Sequence, residues 1–377
     1  MVDTYCCEKM PLNIIIMIML YLALAHPINA ACAPVHNKKK GGGCSEIFMC
    51  YVEHLWLING RFYADGAQET IDVGHNIQTT IHSLRDAPQP VVAMESWKGM
   101  LSVIYHRQYP KCYAHLLRDN LSHDLYAFRR FHQDTWDLET VRQNMRLLYL
   151  DGEATTHPGY RIHSSFPPWE KRASDLPNMY FERAVVGDGG FFPPCEKAGR
   201  HYFSPNDWLN YGRFIAHAML GPQLPKQDPS LVWLVNRNRD EPRQMSGAEK
   251  LSIQLNSMGF KVITTRPSEF KEWSDQIRLA RQASVIIGPH GSNLANIILS
   301  NATGVLEFLS RELLSNWYAQ QSQLQGVRWF SFPTSYDLVQ GHPAAEGSDV
   351  APLLRRVLSG SVPKCHIHGG GGFQMCH

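Results

Sequence analysis

The sequence predicts an α/β protein whose C-terminal half is a parallel sheet covered by helices on both faces. Three observations carry this. Residues 231–235 (Leu-Val-Trp-Leu-Val) are wholly apolar, the composition of a strand buried on both sides. From residue 230 onward strand and helix patterns alternate, which calls for parallel pairing with helical crossovers. At Gly288 a strand ends in glycine and proline and opens directly into a helix, the junction at which such sheets bind phosphates.

The N-terminus reads as an address. Residues 12–25 are nearly all apolar, follow Lys9 and end at His26-Pro27, which is short for a bilayer span. A cleaved signal peptide, with Ile28-Asn29-Ala30 as its processing site, and a signal-anchor running to Ala33 fit equally. Residues 1–43 are therefore a leader or membrane anchor plus a Lys-Gly linker. Beyond Cys6 and Cys7 remain Cys32, Cys44, Cys50, Cys112, Cys195, Cys365 and Cys376, an odd set consistent with disulfides in the secretory pathway, Golgi or endoplasmic reticulum. Asn120 and Asn301 open Asn-x-Ser/Thr sequons, and Asn301, in an expected loop, is the better glycosylation acceptor. A net charge of +2 leaves nucleic acid no electrostatic footprint, and no internal repeat suggests a solenoid.

Residues 44–221 are expected to form an N-terminal, acceptor-side domain, with a short strand at 91–93, a helix over 111–131 and a Pro-rich stretch after it. Residues 221–229, dense in Pro and Gly, read as the interdomain linker. Residues 230–340 form the ligand-binding domain. Its strands are expected at 231–235, 261–265, 284–288, 304–309 and 327–332. A first helix is expected to open on a Ser246/Glu249 capping box, with Leu251, Leu255 and Met258 inward and Gly259 as its stop. A second opens near Ser268 with Phe270, Trp273, Ile277 and Ala280 at helical spacing; a third covers 293–299. Residues 341–377 are a C-terminal helix and tail. In the tail, Cys365, His366, His368, Cys376 and His377 have ligand chemistry but no standard zinc spacing, so no metal is expected.

The segment Gly288-Pro289-His290-Gly291-Ser292-Asn293-Leu294-Ala295-Asn296 carries the chemistry. Its helix start presents backbone N–H groups and the positive dipole end, Gly291 permits close approach, and His290 adds a donor, all suited to a diphosphate; the same string also serves as a plain turn. Arg237, Arg239 and Arg243 follow an earlier strand at the same sheet edge and can fork onto phosphate oxygens, or simply line a solvated loop. Glu307 ends a nearby strand, where a carboxylate can accept from both ribose hydroxyls or join an ion pair. His115 and Asp119, four apart on a helix, can form a general-base pair for an acceptor hydroxyl or a surface contact.

Residues 286–308, with Gln276, Ala283 and Arg237, strongly resemble glycosyltransferase family 61, and Tyr113, His115 and Asp119 are similar to its N-terminal signature. The resemblance implies a GT-B-like architecture, two Rossmann-like domains with parallel sheets facing a cleft. It implies an enzyme that binds a nucleotide-sugar through Arg237, His290, Gly291 and Glu307, and the mechanism expected on these residues is inverting transfer from a UDP-sugar. His115 and Asp119 would face the transferring sugar, and the acceptor would be a glycoprotein or polysaccharide. Two departures stand out: Ser292-Asn293 where the family has Ala-Gly, and Ser246-Gly247 where it often has Asn-Glu. No Asp-x-Asp occurs, so leaving-group charge falls to the helix dipole and arginine rather than to a metal or other cofactor. The alternatives are an inactive, lectin-like glycan binder and an His-x-x-x-Asp acyltransferase.

Overall fold

The computed structural model describes residues 30–38, 44–65, 69–72, 77–89, 93–107, 109–187, 203–239, 241, 243–310, 317–334, 345 and 347–359. Residues 1–29 of the expected leader, residues 91 and 92 of the short strand and the Cys/His tail lie outside them, whereas residues 30–38, expected as the end of the leader and its linker, form a strand paired with residues 44–52. The chain divides into two compact units. One comprises residues 1–106, 146–152 and 169–200; the other comprises 107–145, 153–168 and 201–377. The bounds differ from those expected, because residues 107–145 and 153–168 pack with the C-terminal part.

The first unit is built on a nine-stranded sheet: β1 Ala30–Lys38, β2 Cys44–Ile58, β3 Arg61–Ala64, β4 Glu69–Asp72, β5 Gln78–Ser83, β6 Glu95–Tyr105, β7 Met145–Tyr149, β8 Trp169–Glu170 and β9 Met179–Val186. The order is β4-β5-β3-β2-β9-β6-β7-β8, with β1 also paired to β2. This corrects the expectation of a parallel sheet here: β1–β2, β2–β3, β2–β9 and β4–β5 are antiparallel, while β3–β5, β6–β9 and β7–β8 are parallel, so the sheet is mixed. The cause is local. Asn59 and Gly60, both at positive φ (49° and 77°), make a two-residue hairpin between β2 and β3, far too short for a parallel crossover. Val52, Leu55, Leu57, Trp97 and Phe181 form the core on one face, with Trp97 edge-on to Trp169 and Phe181. Cys50 is disulfide-bonded.

The second unit holds the parallel sheet: β10 Leu231–Val235, β11 Lys261–Thr265, β12 Val285–Pro289, β13 Gly304–Ser310 and β14 Arg328–Thr334, in the order β11-β10-β12-β13-β14. All four pairings are parallel. One face packs Val232, Leu234, Val285, Ile287 and Leu306 against the helices Ala248–Ser257 and Gly347–Leu358. The alternate residues Trp233, Ile286 and Val305 are equally buried, and the helix Trp273–Gln282 lies against β10. Helix Pro205–Leu220, opened by a Ser204/Asp207 capping box, packs on Trp273–Gln282 and on Ser292–Leu299.

Three local expectations are corrected. The Ser246/Glu249 capping box does not form: the helix starts from left-handed Gly247 (φ 74°), and Glu249 bonds Arg266 instead. Met258 is 38% exposed, because the helix has already ended; Ala248, Leu251 and Leu255 are its buried residues. Residues 221–229 do not link the two units. They belong to the second, where Asp228 fastens the start of β10 through Ser230 (2.9 Å to N, 2.7 Å to Oγ) and Lys261 (2.7 Å).

Candidate active site

In the second unit the sheet order reverses between β10 and β12: the chain moves outward from β10 to β11, then returns to the other side. Open α/β sheets bind ligands outside the strand C-termini at such a point. The loops after β10 and β12 begin there, and they carry Arg237 and the His290–Asn293 turn.

The two loops touch. A Cβ on Gly291 would lie 2.3 Å from Arg237 Nη1, so only glycine lets the guanidinium settle against the turn. Arg237 is aimed by Glu241, with Nε and Nη2 each 3.1 Å from Oε2. Asn238 holds Glu241 in turn, at 2.6 Å. Asn236, which sequence reasoning passed over, organises the arginine loop: its Oδ1 accepts from the N–H of Arg237 (2.9 Å) and Met245 (2.7 Å). Its own carbonyl accepts from Asn293 Nδ2 at 3.0 Å. Asn293, the departure from the family's glycine, is thus a clasp between the loops. Arg239 is exposed at the same loop, and Arg243 is half-buried with a left-handed backbone (φ 63°).

Beyond Gly291 the chain enters a 3₁₀ helix, Ser292–Leu299, rather than an α-helix. The N–H groups of a helix's first turn have no partner within it and carry the positive dipole end. Ser292 is half-exposed at this start. Asn296 is fully buried, and its amide is spent inside the protein: Oδ1 accepts from Tyr113 (2.8 Å) and Gln276 (3.0 Å), and Nδ2 donates to Asn293 O (2.7 Å). It fixes the helix, and its one remaining N–H lies in the buried interior.

Glu307 takes the second of its two expected roles, that of an ion-pair partner. It is fully buried on β13; Oε1 is bonded to His290 Nδ1, and Oε2 accepts from Trp329 Nε1 at 2.7 Å. Both oxygens are occupied within the protein, so the carboxylate holds His290 rather than a ribose. Tyr318 packs its ring 5.4 Å from His290 and donates its hydroxyl to Gly291 O. Burial, then Glu307, pushes that hydroxyl well above its ordinary pKa, so it stays a donor.

His115 and Asp119 belong to this same unit, not to the first. The chain makes a helical turn Tyr113–His115, a π-helical stretch Leu116–Leu121 and an α-helix Ser122–Phe131 without a break. A π stretch inside a helix often marks a functional site. His115 Nδ1 is bonded to Asp119 Oδ2; the imidazole is 28% exposed and the carboxylate 4%. Behind Asp119 lies buried Arg118, with Nε 3.8 Å from Oδ1 and its guanidinium 4.0 Å over Trp317. Burial brings Arg118 down to about 10, against the pull of Asp119 and Tyr318. Tyr113 ties the segment to the Ser292–Leu299 helix, since its hydroxyl bonds Asn296 and accepts from Trp273 Nε1 at 3.1 Å. Burial raises that hydroxyl's pKa, against the Trp273 bond.

The two sequons separate. Asn120 is fully buried and donates to Tyr160 Oη at 2.9 Å, whereas Asn301 is exposed in a loop. Among the described residues no helix is long and apolar enough to cross a membrane. The family model described as Glycosyltransferase 61 matches residues 73–306. No curated protein matches the chain.

Proposed function

The chain belongs to glycosyltransferase family 61, and on that footing we propose that it moves a sugar from a UDP-sugar onto a hydroxyl of a glycoprotein or polysaccharide, inverting the anomeric centre. The observation that carries the donor assignment is the meeting of Arg237 with Gly291 at the sheet's switch point, beside a helix start. Arg237, His290 and the N–H groups at Ser292 and Asn293 are the donors offered to the diphosphate, so negative charge on the leaving group is met without a metal. Arg239 and Arg243 are peripheral cations of the same loop.

His115 is the base. A carboxylate only accepts, so the nitrogen facing Asp119 carries the proton and Nε2 is free to take another. In the reaction the acceptor O–H gives its proton to Nε2 as its oxygen bonds to the anomeric carbon. The bond from that carbon to the phosphate oxygen breaks, and its electron pair leaves with UDP. Asp119 holds the imidazole's orientation throughout. The disulfide at Cys50 and the exposed Asn301 sequon support a secretory-pathway location, in the Golgi or endoplasmic reticulum.

The test is a transfer assay with purified protein, labelled UDP-sugars and a panel of glycopeptides and oligosaccharides, the product anomer being read by NMR. One sugar should be transferred with inversion, and His115→Ala should lower kcat by about 10²–10⁴ with donor binding retained. Retention of configuration, or an unaffected His115→Ala enzyme, refutes the mechanism. Glycan binding without any transfer moves the protein to the lectin-like reading.

A further inference from the structure

We propose that Trp329 and Glu307 are positioning residues for His290, holding its Nδ1 on the carboxylate so that Nε2 faces the donor's diphosphate. The proposal rests on the donor-site reading above. The directions of the bonds are fixed by chemistry. An indole N–H only donates, so the 2.7 Å contact runs from Trp329 to Glu307 Oε2. The carboxylate only accepts, so His290 Nδ1 must carry the proton it shares with Oε1. With Nδ1 committed, Nε2 is the ring nitrogen left to meet a ligand, and a proton on it is what a phosphate oxygen, which only accepts, would bond.

The placement is built into the sheet. Glu307 stands beside Gly288 on β12, two residues before His290, and Trp329 comes from β14 on the other side. A buried carboxylate without donors is costly, and these two side chains are the ones that satisfy it. Removing the indole N–H frees Glu307 to rotate, and His290 loses its fixed orientation although neither residue is touched. Nothing in the sequence marks Trp329, because a tryptophan on an edge strand reads as core.

The test is a double-mutant cycle read by calorimetric titration of the whole chain with UDP. Trp329→Phe keeps the ring and deletes the donor; UDP binding should weaken about tenfold, with kcat at saturating donor less affected. In a His290→Asn background the same change should cost nothing further, an outcome that loss of packing alone does not give. Full additivity of the two losses, or unchanged binding in Trp329→Phe, overturns the proposal while leaving the donor site standing. Failure of the native chain to bind UDP removes the donor site itself, and this proposal with it. The ring ¹⁵N shifts of His290, assigned by their loss in His290→Asn, test the tautomer without altering Trp329. A proton on Nδ1 is expected, with or without one on Nε2, and a neutral ring protonated at Nε2 alone overturns the proposal.

Discussion

Replacing Gly291 by alanine separates binding from stability. The added Cβ would stand 2.3 Å from Arg237 Nη1 and 3.3 Å from Cζ, and its three nearest neighbours all belong to that one side chain. Real contacts do not approach so closely, so the guanidinium must withdraw by about 1 Å. It can, because it is the end of a flexible chain, but it gives up its 3.1 Å contacts with Glu241. That pair is partly exposed and worth about 0–1 kcal/mol, so Tm should fall by a few degrees at most. Donor binding suffers more. A charge-assisted hydrogen bond to phosphate is worth about 1.5–3 kcal/mol, and its loss weakens UDP binding about 10- to 100-fold. Thermal denaturation and calorimetric titration of the same preparation give both numbers. Unchanged UDP affinity in a folded Gly291→Ala protein refutes the placement of Arg237 at the diphosphate.

Other expectations follow from single features. Gly212→Ala in helix Pro205–Leu220 should destabilise despite alanine's helix propensity of about 1 kcal/mol: its Cβ would meet the Ile298 carbonyl oxygen at 2.1 Å, and backbone cannot swing aside. A rise in Tm for that variant contradicts the packing. Asn301→Gln should remove one N-glycan from secreted protein on a gel, whereas Asn120→Gln should leave glycan occupancy unchanged; a shift in the latter contradicts its burial. His157 accepts from the Gly159 N–H, and burial lowers its pKa to about 4, below the unfolded value of 6.5. Between these values the unfolded chain binds more protons, so stability is complete above about pH 6.5 and falls as the pH drops toward 4, by up to about 3 kcal/mol. Denaturant midpoints across that range should show the fall, and a flat profile contradicts it.

The second unit was largely legible because its strands are continuous apolar runs and its punctuation is glycine: Leu231–Val235 and Lys261–Thr265 lie where the pattern places them, and Gly259 stops its helix at φ 92°. The first unit was not. Its sheet is set by strand pairing across distant segments, and the Asn59-Gly60 hairpin was the one short-range sign of antiparallel order. His115 and Asp119 were readable as a pair from their spacing. Their membership in the second unit depends on Tyr113, Arg118, Trp273 and Trp317, ordinary aromatic and basic residues in sequence. Glu307 was legible as a strand-end carboxylate with two readings, ribose acceptor or ion-pair partner, and its contacts with His290 and Trp329 are of the second kind. The Ser246/Glu249 box failed because Arg266 competes for the glutamate.

The account's central claim is that the turn at Gly291 and the arginine loop form a diphosphate site. Calorimetric titration of the purified chain with UDP, GDP and CDP, with and without EDTA, tests it most directly. The account predicts saturable binding of UDP at one site, unaffected by EDTA and lost in Arg237→Ala. Absence of binding by any of the three to folded protein, or binding indifferent to Arg237→Ala, contradicts it.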